Sequence, residues 1–146
     1  MMQVADKVTV TRAAWQQQGE QSRAIRYKVF VEEQKVPKAM EVDDQDAAAE
    51  HFLVRHENKL VATGRLTTDG QIGRMAVLPA FRNQGIGSRL LKTMLEYARE
   101  RNLKRVYLHA QIRAIPFYNR HGFHACGETF MEAGIAHRRM ERPCND

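Results

Sequence analysis

Arg82 to Leu91 reads RNQGIGSRLL. Gly85 and Gly87 sit one residue apart, directly after the stretch LPAF and directly before a leucine-rich run. From Gly85 onward Ile86, Leu90, Leu91, Met94, Leu95 and Ala98 recur at the spacing of one helix face. The glycines therefore stand where a helix begins, a place where they cost order and supply no side chain. Two explanations fit. One is a tight helix start packed against a strand. The other is an anion site, because the first N–H groups of a helix lack internal partners and the dipole adds partial positive charge there. Two familiar phosphate loops are excluded. A P-loop needs Lys-Ser or Lys-Thr after its glycines, whereas Gly87 precedes Ser88-Arg89. The dinucleotide fingerprint needs a third glycine where Leu90 stands.

Working outward, KVTVTRAAW alternates and predicts a first strand, and Glu20–Val31 predicts a helix. VPKAMEVDDQDAAAE predicts a loop with a short helical turn. HFLVR and KLVATGRL flank HEN as a hairpin, and Asp69-Gly70 turns the chain into IGRMAV. The Gly85 helix runs to about Arg101, KRVYLHA is the next strand, and AIPFYNRHG is a short helix closed by Gly122. ETFM and IAHRRM, separated by EAG, form a last hairpin. A helix between IGRMAV and RVYLHA implies one parallel crossover; the other pairings should be antiparallel. The expected fold is α/β, a mixed, mainly antiparallel sheet with helices on both faces, in a single domain spanning 1–146.

The chain has 146 residues, 43% of them hydrophobic, enough for a core without staples. No apolar run approaches the ~20 residues of a membrane helix. The start, MMQVADKVTV, has Asp6 and Lys7 where a leader needs an apolar centre. A soluble, cytoplasmic protein with no membrane partner is expected. Cys126 and Cys144 have no zinc-site or CxxC spacing, so reduced thiols and no metal are expected, with Cys144 mobile near the chain end. The net charge is +6, yet Glu32–Glu50 carries seven acids against two lysines, a local −5. The rest therefore carries +11. One cationic and one anionic partner are a natural expectation, with a solvated acidic loop as the plain alternative. The bases are scattered without interleaved aromatics, which argues against nucleic acid.

The stretch VLPAFRNQGIGSRLL, followed about 25 residues later by AIPFYNRHGF, resembles the GNAT superfamily of acyl-CoA-dependent N-acetyltransferases. Arg82, Gly85 and Gly87 match the family's central motif, and Tyr118, Gly122 and Phe123 its second element. RYKVFVEEQKVP, EVDDQDAAAEHFLV and GIAHRRM are similar to the ElaA/YjcF-like subgroup. The likeness covers nearly the whole chain.

That resemblance implies a co-substrate, acetyl-CoA, and a second partner, an amine. The diphosphate would lie on Arg82, Asn83, Gln84, Gly85, Ile86, Gly87 and Ser88. The pantetheine arm would pair with Met75, Ala76 and Val77 as an added strand. Gln111 and Arg113 are further cofactor candidates, Arg113 or Lys92 for the 3′-phosphate. Acetyl transfer to an amine needs a base, since an ammonium has pKa ~10.4. It needs a donor to the developing oxyanion, implied to be the Val77 N–H. It also needs an acid for the leaving thiolate, implied to be Tyr118. Candidate bases are Glu33, Asp43, Glu50, His51 and His109, or a water chain. His109 lies near the end of a central strand, on the face shared by Tyr107 and Gln111. The acidic segment, placed by the resemblance near the acceptor, favours a cationic small-molecule or peptide amine. A catalytically silent acyl-CoA sensor stays open beside the enzyme. A homodimer, common in the family, is compatible with the edge strands.

Overall fold

The seven-stranded sheet runs in the order β1-β2-β3-β4-β5-β7-β6. A computed structural model describes residues 7–144; Met1–Asp6, on which most of the leader reading rests, lie outside the described residues. The strands are β1 Val8–Ala13, β2 Glu50–His56, β3 Lys59–Leu66, β4 Gln71–Val77, β5 Arg105–Gln111, β6 His124–Glu132 and β7 Ile135–Pro143. The helices are α1 Trp15–Arg26, α2 Lys38–Glu41, α3 Ile86–Glu100 and α4 Ile115–Arg120. Only β4 and β5 pair in parallel, joined by the crossover helix α3, as the element order requires.

Helix α3 buries Ile86, Leu90, Leu91, Met94 and Ala98 on one sheet face, against Phe52, Val54, Leu66, Ile72, Val106 and Leu108. On the other face α1 and its continuation place Ile25 and Val29 on Ala76 of β4. The two helix layers thus exclude water from both sides of the central strands, which is why strands 2 to 5 carry the core.

Three boundaries differ from the expected ones for physical reasons. Helix α1 begins at Trp15, five residues early, because the Trp15 ring stacks on His51 at 4.8 Å and under the Arg26 guanidinium at 5.4 Å. Its far end continues as a π-helical segment, Tyr27–Glu33, whose wider turn carries Glu33 and Gln34 to the sheet's open end. The last hairpin turns on Ala133-Gly134 alone, both at positive φ (52° and 78°), so Glu132 is the last residue of β6 rather than part of the turn. Cys144 is also not mobile. It is 6% exposed, and its N–H donates to the Lys104 carbonyl at 2.9 Å.

Candidate active site in the gap between β4 and β5

The register of β4 and β5 holds only at Gln71↔Tyr107 and Ile72↔Leu108. Beyond it the strands separate, although β4 continues to Val77 and β5 to Gln111. A cause lies in β4. Between the pairs Thr63↔Ala76 and Arg65↔Gly73, two residues of β4 stand opposite one of β3, and Arg74 sits at φ 49°. This is a β-bulge, which bends its strand and stores roughly 1–3 kcal/mol in a non-glycine left-handed residue. Arg74 is held there by the Glu41 carbonyl at 3.0 Å and Asp43 Oδ2 at 3.0 Å.

The separation leaves β4 with an open edge. The Leu78 N–H donates to the Val61 carbonyl on the β3 side, so by alternation the Val77 backbone faces the gap. Its carbonyl accepts from Arg82 Nε at 2.9 Å; its N–H is directed to the space β5 has vacated. A cleft of about 830 Å³ runs through this gap. Met75, Val77, Asn83, Gly87, Phe117 and Tyr118 line its α3 side, and Arg74, His109, Gln111 and Glu132 its α1 side.

At the glycine turn Gly85 is the N-cap of α3 at φ 83°, with no side-chain cap and no acid in the first turn. The first helical bond is Arg89 N–H to the Gly85 carbonyl at 3.0 Å, leaving the N–H groups of Ile86, Gly87 and Ser88 without helical acceptors. A Cβ built on Gly85 would meet nothing within 4 Å, and one on Gly87 only the Phe117 ring at 3.6 Å. Only Gly85 needs glycine for its own conformation. At Gly87 the fold itself tolerates a side chain. Uncapped N–H groups, open space and no opposing carboxylate suit a diphosphate. Asn83, at φ 62°, turns the chain toward this site. Ser88 is tied by its hydroxyl to His121 Nε2 at 3.0 Å, and Gln84 Nε2 donates to the Ala80 carbonyl at 3.2 Å.

Arg82 and Glu33, assigned separately from sequence, meet each other. Both guanidinium NH groups donate to the Glu33 carboxylate at 2.7 Å, and this bond holds Glu33 below the usual carboxylate range. The pair ties the end of the π-helical segment to the glycine turn. Gln111 is likewise engaged, donating to Gln34 Oε1 at 2.9 Å. Tyr118 directs its hydroxyl at the Met75 sulfur, 3.8 Å away, and burial pushes its phenol up to about 12. His109 places Nδ1 3.0 Å from Glu132 Oε1, and its ring meets Phe130 edge-on at 5.0 Å.

The acidic segment is less negative than its composition implies. Glu41 and Asp46 are buried on Arg26; Asp43 and Asp46 accept from Arg65, and Asp43 also from Arg74. With Glu33 on Arg82 and Glu50 3.9 Å from Arg12, five of the seven carboxylates are matched by arginines distant in sequence. Burial alone would raise the Asp46 carboxyl, but its bonds to Arg26 and Arg65 outweigh that and hold it low. Glu50 and His51 do not line the cleft; His51 is 1% exposed, its Nε2 2.8 Å from the Asp46 carbonyl. Sequence spacing carried no trace of Arg26, Arg65, Arg74 or Glu132 as site-building residues, because their partners lie 15 to 34 positions away.

A mainly antiparallel sheet with one parallel pair, forced apart over an uncapped helix start, has the fold of the acyl-CoA N-acyltransferases. Residues 11–144 match the acetyltransferase (GNAT) domain family, and the chain belongs to that family. It is 35% identical over 120 residues to the uncharacterized N-acetyltransferase YjcF of Bacillus subtilis (strain 168), covering 80% of this chain and 86% of that protein. Among solved structures, Escherichia coli ElaA superposes with a TM-score of 0.83 at 29% identity, covering 92% of this chain and 99% of that one. An acyl-CoA N-acyltransferase from Pseudomonas aeruginosa superposes with 0.82 at 32% identity, over 92% and 99%. These likenesses support the ElaA/YjcF-like subgroup. No helix among the described residues is long and apolar enough to cross a membrane.

Proposed function

We propose that the protein moves an acetyl group from acetyl-CoA to a primary amine by direct attack, with the two substrates meeting in the gap between β4 and β5. The observation that carries this reading is the cleft itself, which joins the two sheet faces where β4 and β5 part. Acetyl-CoA supplies the activated thioester. The N–H groups of Ile86, Gly87 and Ser88, with Asn83 and Gln84 beside them, receive its diphosphate, and Met75, Ala76 and Val77 offer the open strand edge to the pantetheine arm. Arg113 is the candidate for the 3′-phosphate.

Three groups of the chain then act. The Val77 N–H faces the gap and stabilises negative charge as it develops on the acyl oxygen. Tyr118, protonated at every working pH, donates to the departing sulfur. His109 takes the proton from the amine. Glu33 is the weaker base candidate, because Arg82 occupies both its oxygens and lowers its affinity for a proton. Its role is to hold Arg82 on the Val77 carbonyl. Asp43 is committed to Arg65 and Arg74 in the same way. Because so many acids of the 32–50 segment are neutralised, the reading of the acceptor as an amine rests on the reaction class. A cationic acceptor is favoured only by the carboxylates outside the arginine network. We place the reaction in the cytoplasm, where acetyl-CoA is available.

The test is release of free thiol from acetyl-CoA with a panel of spermidine, glucosamine and a lysine-containing peptide. Amine-dependent release is expected, falling about 100-fold or more in His109→Ala. Tight acetyl-CoA binding with no release from any amine would support a silent sensor instead.

A further inference from the structure

Resting on His109 as the proton acceptor, we infer that Glu132 is a positioning residue that sets the tautomer and aim of that imidazole. The two residues are brought together only by the sheet. His109 is on β5 and Glu132 on β6, with β7 between them, and the contact of 3.0 Å spans that strand. An ionised carboxylate can only accept, so Nδ1 must carry the hydrogen. In a neutral ring Nε2 is then the bare nitrogen, and it makes no hydrogen bond among the described residues. His109 lines the cleft, so its accepting nitrogen is available to an amine there. A histidine of the opposite tautomer would present an N–H and could not take a proton.

Two further observations show that the pair is set up for this. Phe130, two residues before Glu132 on the same face of β6, packs edge-on against the His109 ring at 5.0 Å and stacks on His137 at 5.9 Å. One face of β6 therefore supplies both an apolar stop and a polar anchor. The cation opposite His109 is also drawn away. Arg139 is opposite His109 in the register, but its guanidinium lies 4.0 Å over the Tyr107 ring and donates to Glu141 at 2.8 Å. Glu132 is left to the histidine. With its side chain 45% exposed, the ion pair contributes little to holding the fold, and its use is in orientation.

The experiment uses the full chain with Glu132→Ala, Glu132→Gln, His109→Ala and the double variant His109→Ala/Glu132→Ala. Glu132→Ala should lower kcat about 10–100-fold with acetyl-CoA affinity unchanged and the melting temperature within about 3 °C of wild type. Glu132→Gln, whose amide oxygen still accepts from Nδ1–H, should recover part of that loss. In the His109→Ala background, removing Glu132 should cost nothing more. Nitrogen NMR of the His109 ring should report the Nδ1–H tautomer in wild type and a shift toward Nε2–H in Glu132→Ala, with no acceptor needed. Wild-type turnover in Glu132→Ala beside an impaired His109→Ala overturns the inference and spares the base. Additive losses in the double variant overturn it as well. Full activity of His109→Ala removes the base, and this inference with it.

Discussion

Tyr118 illustrates how one side chain can be suited to a task by where it is buried. A phenol normally ionises near 10. Packed against Phe117, Phe123 and Met75, it is pushed up to about 12, because burial disfavours its anion. It is therefore a donor throughout the range in which the protein works, and no alkaline loss of activity below about pH 11 should trace to it. Its hydroxyl contacts only a thioether sulfur at 3.8 Å, so removing it leaves the fold intact. Tyr118→Phe should lower kcat about 100-fold or more while acetyl-CoA affinity, measured by calorimetry, stays within threefold. Unchanged turnover would take the acid role from Tyr118.

At the level of elements, the site is made by two ends and one edge: the start of α3, the end of the π-helical segment and the freed edge of β4. Arg82 joins all three, bonded to Glu33 and to the Val77 carbonyl from its place in the turn before α3. The start of α3 allows a test in which two effects have opposite sign. Gly87 has helical geometry and room for a Cβ, so Gly87→Ala should raise the thermal stability, by up to about 1 kcal/mol from helix propensity. The same methyl would project into the proposed path of the diphosphate to the backbone, and acetyl-CoA affinity should fall at least tenfold. A stabilised variant with wild-type affinity would move the diphosphate elsewhere. Gly85→Ala does not separate the effects, since φ 83° strains any other residue.

Over the whole molecule, the arginine–carboxylate lattice fastens the 32–50 segment to the sheet and α1. It is buried, so a missing partner is expensive, and protonation acts like a missing partner. His51 borders it, beneath Trp15 and facing Asp46, Arg26 and Arg65. Burial, above all, holds the imidazole below its ordinary value, overriding the Asp46 carbonyl and carboxylate. The unfolded chain takes up that proton near pH 6.5, and the folded chain resists it. Stability should thus be full above about 6.5 and decline as pH falls, at up to about 1.4 kcal/mol per pH unit for this one site. Asp46, held low, contributes stability that is complete above about 3.9 and is lost as pH drops further. A two-stage acid loss is expected in melting temperature against pH, and His51→Gln should flatten the first stage, which begins as pH falls below about 6.5. An unchanged slope there would assign the first stage to another group.

Much of this was legible in the chain. The apolar spacing after Gly85 placed α3 and its buried face, and hydrophobic alternation with turn residues placed the strands, because period and burial are local properties. The paired glycines placed the helix start and, with the P-loop and dinucleotide patterns excluded, left a tight turn and an anion site as its two readings, because an uncapped helix start is also a local property. The likeness of RNQGIGSRLL and FYNRHGF to known acetyltransferases pointed to the family. The tertiary structure decided what depends on distant partners. The bulge opens the sheet at Arg74, a non-glycine residue at positive φ, and Gly73 before it does not say that the strand will bend there. Glu41, Asp43 and Asp46 of the −5 segment are neutralised because Arg26, Arg65 and Arg74 fold onto them. Glu33 and Glu132, indistinguishable as exposed carboxylates in sequence, acquire different partners, Arg82 and His109. Charge acts through space, and a residue's chemistry follows from the neighbours that the completed sheet assigns to it.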